Sequence, residues 1–164
     1  MTNRKIARLI AAAVLGIVAY IAANQESQDE GLTGPAVVID GDTLKIGETR
    51  IRLMGIDAPE RKQSCTDTNG HEWPCGLFAK KILTQKIGST QIRCDLSDRD
   101  KYGRYVGICY TDIDLNGFMV ESGNAMAYRQ YSARYIAQED SARIHRRGIW
   151  SGSFQAPWDY RRGK

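Results

Sequence analysis

The chain has 164 residues, 42% of them hydrophobic, with 23 Lys/Arg against 19 Asp/Glu for a formal net charge of +4. This suits one compact domain with a real core, and the absence of internal repeats or low-complexity tracts excludes a repeat array. So small an excess of charge excludes any reading of polyanion binding from net charge alone, although basic residues outnumber acidic ones from Arg129 onward.

Arg4, Lys5 and Arg8 open the chain, and Leu9–Ala23 (LIAAAVLGIVAYIAA) follows without a charge. This is the layout of a secretory signal. The uncharged run is short of the roughly 20 residues a membrane span needs. Residues 1–24 are therefore read as a signal peptide or an N-terminal membrane anchor through residues 6–23. The positive flank would stay in the cytoplasm and the rest outside it, periplasmic, secreted or held at the membrane. Residues 25–34, polar and acidic, read as a linker. The domain proper is expected over 35–151, and a basic tail without a strong pattern over 152–164.

Within the domain, Ala36–Ile39 is apolar and β-prone, Gly41 interrupts it, and Thr43–Ile46 resumes. A turn at Gly47-Glu48 leads into Thr49–Ile56, where Ile51 and Leu53 alternate with Arg50 and Arg52. Residues 61–75 are polar and loop-like. Gly76–Ile87 has apolar residues near helical spacing and a glycine stop at Gly88. Strands are predicted at 91–96 and 105–110, flanking a charged turn over 97–103. A short helix is predicted at 115–122 with Asp114 as its N-cap, then a brief strand at 125–128. A longer helix is predicted over 133–147, with Ala133, Ile136, Ala137 and Ile144 on one face. Two groups of strands either side of a helix are compatible with a small closed sheet such as a five-stranded OB barrel.

The four cysteines, Cys65, Cys75, Cys94 and Cys109, all follow the N-terminal segment. An even count in an exported chain reads as two disulfides. Of the three pairings, Cys65–Cys75 with Cys94–Cys109 is favoured, closing a small loop and joining two neighbouring strands. The rival is a zinc site at Cys65, His71 and Cys75, whose spacing matches no common zinc pattern.

Carboxylates and arginines alternate from Asp40 to Arg104. Asp42 follows a glycine turn and Asp57 follows a strand. Two carboxylates from separate loops, with a main-chain carbonyl and water, would make an open site for a hard cation such as calcium. Asp40 is read as a turn residue. Arg52 lies on the strand face opposite Ile51 and Leu53, and a guanidinium there would bind phosphate bidentately. Arg104 follows Gly103 at the edge of the next strand pair. A second arginine would help neutralise charge developing on a phosphate. Glu60, three residues after Asp57, could take a proton from a cation-adjacent water.

The segments IDGDT, DAPE and DKYGR, in this order within VVIDGDTLKI…IRLMGIDAPE…DKYGRYVG…RRGIW, resemble the thermonuclease, or staphylococcal-nuclease-like, family from about Val37 to Trp150. The resemblance implies an α+β fold: a five-stranded OB-type β-barrel with about three packed α-helices. It implies a monomeric calcium-dependent enzyme that hydrolyses DNA and RNA and leaves 3′-phosphate ends. By resemblance, Asp42, Asp57 and the Ala58 main-chain carbonyl are the metal ligands. Arg52, Glu60 and Arg104 are the catalytic set. Lys101 and Tyr102 contact a terminal phosphate, and Tyr128 and Tyr131 contact the nucleotide. The alternative is a non-catalytic nucleic-acid-binding module, but no metal carboxylate, catalytic arginine or glutamate of the pattern is missing. Two departures stand out. The loop Gln63–Cys75 carries two cysteines and is expected near the active cleft, with a bearing on substrate choice. A Cys94–Cys109 bridge would pin the strands around the Asp100–Arg104 turn, stabilising by ~3 kcal/mol in the chain-entropy model, and would hold Arg104 firmly.

Overall fold

The computed structural model describes residues 31–163. The predicted signal or anchor segment, and residues 25–30 of the predicted linker, lie outside these residues. Among the described residues no helix is long and apolar enough to cross a membrane.

In chain order the strands are β1 (Leu32–Gly34), β2 (Ala36–Val38), β3 (Thr43–Ile46), β4 (Thr49–Leu53), β5 (Ile56–Asp57), β6 (Cys65–Thr66) and β7 (Glu72–Trp73). Helix α1 (Cys75–Ile87) comes next, then β8 (Ile92–Arg99), β9 (Tyr105–Tyr110), α2 (Leu115–Glu121), β10 (Met126–Ala127), α3 (Ile136–Ile144) and α4 (Pro157–Arg162). The main sheet runs β1-β8-β9-β4-β3-β2. Its two outermost members are consecutive in the chain, separated only by Pro35, which has no N–H to give to a ladder. One segment thus pairs with β8 through its first half and with β3 through its second, and the sheet curls on itself as an OB-type half-barrel. The α+β fold agrees with expectation. The predicted linker does not extend to residue 34: Leu32–Gly34 is a strand in register with Ile92–Cys94.

Strand alternation buries Ile51 and Leu53 and turns Arg50 and Arg52 to the other face. Ile51, Leu53, Leu44 and Ile92 meet Leu83 of α1, and Leu115, Met119 and Val120 of α2. A fully buried Leu or Ile contributes roughly 1.5–3 kcal/mol. Helix α1 ends where the Gly88 N–H bonds back to the Thr84 carbonyl. Asp114 caps α2 by accepting from the Gly117 N–H at 3.0 Å. Buried Asn116 joins the layers: its side chain donates to the Met54 and Gly107 carbonyls and accepts from the Cys109 N–H.

Helix α3 is shorter than the predicted 133–147. Tyr135 precedes it, and Arg146 ends it in the left-handed region at φ 50°. The Arg146 and Arg147 N–H groups bond back to the Arg143 and Ala142 carbonyls, a Schellman closure without glycine. The buried face also differs: Ile144 is 77% exposed, while Glu139 is buried. The Glu139 carboxylate accepts from the Ala127 N–H and from Arg129, both at 2.8 Å, so β10 and Arg129 supply the donors that make burial tolerable.

Both favoured disulfides, Cys65–Cys75 and Cys94–Cys109, are formed. Cys65 and Cys75 therefore have no thiol to offer zinc, which removes the rival reading. The Gln63–Cys75 loop does not line the main cleft. Its disulfide packs with Ile149, Trp73, Met126, Trp150 and Phe154, and Thr66 bridges to Ser153. Its partner is the C-terminal segment rather than the cleft. That segment is not patternless: it carries α4.

Candidate active site

The turn after β2 sets Asp42. The Ile39 and Asp40 N–H groups both bond to the Thr43 carbonyl, and the Asp42 N–H donates to Asp40 Oδ1 at 3.1 Å, so Asp40 is the turn residue. Gly41 fits because a Cβ there would meet the Ala58 and Ala79 methyls at 2.6 and 2.8 Å. Asp57 ends β5, which is held by β10 in the register Met126↔Asp57. These two anchors bring together carboxylates fifteen positions apart in the chain (57 − 42 = 15).

Arg52 of β4 joins them. Its Nη1 bonds Asp42 Oδ1, and its Nη2 bonds Asp57 Oδ1 at 2.6 Å. Asp42 and Asp57 are 3% and 0% exposed, so two nearly dry carboxylates converge on one guanidinium. The Ala58 N–H donates to Asp42 Oδ2 at 2.8 Å. Burial pushes the Asp42 carboxyl up, against the pull of Arg52 and the Ala58 N–H. Burial works to lower the Arg52 pKa, but Asp42 and Asp57 outweigh it and the guanidinium stays charged.

Arg104 enters the same cleft from the turn just before β9, which runs parallel to β4 in the register Arg52↔Val106. Its Nε and Nη2 bond Asp100 Oδ2 at 2.8 and 2.7 Å. Its Nη1 donates to Thr43 Oγ1 at 3.3 Å, and the Thr43 hydroxyl donates to Asp42 Oδ1 at 3.2 Å. Burial raises the Asp100 carboxyl, but hydrogen bonds from Arg104 and Tyr102 dominate and hold it below the usual range. The Tyr102 ring lies 5.4 Å from the Arg104 guanidinium and 5.1 Å from Lys101 Nζ.

Glu60 is partly exposed, and its N–H donates to the side chain of buried Gln63 at 3.0 Å. Gly76 opens α1 directly against the Glu60 carbonyl, where any Cβ would collide. Asp42, Arg52, Ala58, Glu60, Lys101, Tyr102, Arg104, Tyr128 and Tyr131 all line one cleft of about 1040 Å³. Asp57 lies behind its wall. Tyr128 and Tyr131 form an edge-to-face pair with centroids 4.8 Å apart.

Sequence reasoning missed Arg161. From α4 it donates to Asp57 Oδ1 and Oδ2 at 2.9 and 2.8 Å and to Glu60 Oε1 at 2.6 Å. Burial works to lower its pKa, but the bonds to Asp57 and Glu60 outweigh burial and raise it. One turn earlier, Trp158 stacks on Tyr128 at 5.5 Å and 6°. A helix of six residues is too short to show periodicity, although Pro157 at its first position was a usable start signal.

The donor set fits a hard cation: buried carboxylate oxygens with no thiolate or imidazole beside them, and cationic groups already resting on them. Among the described residues no group of three or more His, Cys, Asp or Glu side chains is placed to hold a metal.

The family model described as "Staphylococcal nuclease homologue" matches residues 50–152. Asp42 lies outside that stretch, and its place in the site rests on the convergence with Asp57 at Arg52. The chain is 36% identical to the succinoglycan biosynthesis protein ExoI of Rhizobium meliloti (strain 1021), over 88% of this chain and 80% of that protein. It is 32% identical to an uncharacterized endonuclease of Escherichia coli O157:H7, over 77% of this chain and 82% of the other. It is 31% identical to a micrococcal nuclease of Shigella flexneri, over 76% and 77%. The curled sheet, the cleft it carries and these matches agree, and the chain belongs to the family of staphylococcal nuclease homologues.

Proposed function

We propose that this chain is a calcium-dependent nuclease that hydrolyses phosphodiester bonds of DNA or RNA and leaves 3′-phosphate ends. The observation that carries the reading is the convergence of buried Asp42 and Asp57 on Arg52, in a cleft shared with Glu60 and Arg104. The endonuclease and nuclease names of its relatives support it.

Asp42, Asp57 and the Ala58 carbonyl would hold the cation, which would supply concentrated positive charge beside the phosphate. Glu60 takes a proton from the attacking water as the new P–O bond forms. The bond to the 5′-oxygen breaks, and the phosphate stays on the 3′ side. Arg52 and Arg104 meet the phosphoryl oxygens, where charge builds in the transition state, and Arg104 is placed to assist the leaving oxygen. Lys101 and Tyr102 receive a terminal phosphate, and Tyr128 and Tyr131 the nucleotide. Two formed disulfides support an oxidising compartment, periplasmic or secreted, which is where the N-terminal segment, as a signal or an anchor, would send the domain.

Turnover of a labelled oligonucleotide, with analysis of the product ends, tests this reading. Wild type in calcium should release 3′-phosphate fragments, and Glu60→Gln should lose at least about 100-fold. Binding without cleavage would instead identify a nucleic-acid-binding module.

A further inference from the structure

Helix α4 occupies the two places the proposed reaction needs. Arg161 takes both oxygens of Asp57 and one of Glu60, while Trp158 covers a face of Tyr128. The two residues are three apart, and so lie on one helix face.

A carboxylate presents about four acceptor positions. Three on Asp57 are engaged, Oδ1 by Arg52 and Arg161 and Oδ2 by Arg161. A divalent cation at Asp57 would lie against two guanidiniums beside a carboxylate with no exposure to water to screen them. Arg52 is fixed in a central strand and also holds Asp42. Arg161 stands on the shortest α-helix of the described residues, with its side chain 36% exposed, and it is the group able to leave.

Helix α4 is short, and its ties from Arg161 and Trp158 converge on the site. Six residues are far below the length at which a helix is stable alone. Besides Arg161 and Trp158, the Tyr160 hydroxyl donates to the Lys62 carbonyl at 3.3 Å, and Pro157 is buried at the start of the helix. The segment before it is tied down independently. Ser153 pairs with Thr66, whose strand carries Cys65 of the disulfide loop, and the Gln155 carbonyl accepts from Gln63 at 2.6 Å. A firm base followed by a six-residue helix is the build of a segment that opens locally.

We propose that α4 is a latch: Arg161 holds Asp57 and Glu60 in place of a divalent cation, and cation binding requires α4 to release. This rests on the calcium-site reading given above. Affinity is then lowered by the fraction of molecules with the latch open.

The test is calorimetric titration of the full chain with calcium chloride, for wild type, Arg161→Ala and Arg161→Gln, with folding checked by thermal unfolding in EGTA. Removing the guanidinium should tighten calcium binding by about tenfold. In wild type, calcium should also speed amide exchange at residues 158–162, a readout that needs no variant. The latch requires both results. Unchanged or weaker affinity in the variants overturns it and leaves the calcium site standing, as does unchanged exchange. If no form binds calcium, the latch and the calcium-site reading fall together.

Discussion

Arg52 of β4 and Arg104 of the turn before β9 line the same cleft, yet they are held in different ways. Arg52 ties together two buried carboxylates from separate parts of the chain. Arg104 pairs with Asp100 four residues earlier, within its own turn, and both are about a fifth exposed. The first arginine is part of what assembles the site, so its loss leaves buried Asp42 without a charged partner and Asp57 with Arg161 alone. The second is a local, partly exposed i,i+4 pair within one turn, and such pairs contribute little to stability. Function and folding should therefore separate at Arg104 and not at Arg52.

The largest effect that would sharpen this contrast is from Arg52→Ala. It should lower the unfolding free energy by about 3 kcal/mol, because Asp42 and Asp57 lose their shared partner, and it should abolish measurable cleavage. Urea unfolding beside an oligonucleotide assay reads both. Next, Cys94→Ser with Cys109→Ser removes the bridge between β8 and β9, the strands that flank the Arg104 turn. It should cost ~3 kcal/mol of stability by chain entropy. Arg104→Ala should lower cleavage about 100-fold, roughly 2.7 kcal/mol of barrier, while changing stability by less than about 1 kcal/mol. A stability loss equal to that of Arg52→Ala would erase the contrast.

The smallest effect is on pH. The Asp100 carboxyl lies below its ordinary value of 3.8 in the folded chain. Its contribution is therefore present above the unfolded value and is lost as the pH falls through the folded one. Amide exchange at Tyr102 and Arg104, whose N–H groups donate to Asp100 Oδ1, should accelerate through that acid range. The Asp100→Asn variant should lose this acid dependence.

The readable parts of the sequence were those with strong local signals. Alternation at Ile51 and Leu53 gave the face of Arg52, and Asp114 and Gly88 gave helix ends that the structure keeps. Motif order placed Asp42, Asp57, Glu60 and Arg104 in one region, and the fold brings them together at the cleft. What was missed depends on tertiary contact. Glu139 is buried only because β10 and Arg129 supply donors. Arg146 stops α3 where a glycine two residues later looked like the signal. Arg161 lies 104 positions from Asp57, and nothing local to α4 marks it as a carboxylate partner. Thr43 was read as a strand residue, and its hydroxyl turns out to link Arg104 to Asp42.

The central claim is that buried carboxylates, two arginines and Glu60 form a calcium-dependent hydrolytic site. Its most direct test is cleavage of single-stranded DNA and of RNA by the full chain, in calcium and in EGTA, with Asp57→Asn alongside. Cleavage in calcium that disappears both in EGTA and in Asp57→Asn is the result the account predicts. Cleavage that persists undiminished in EGTA, or in Asp57→Asn, would contradict it.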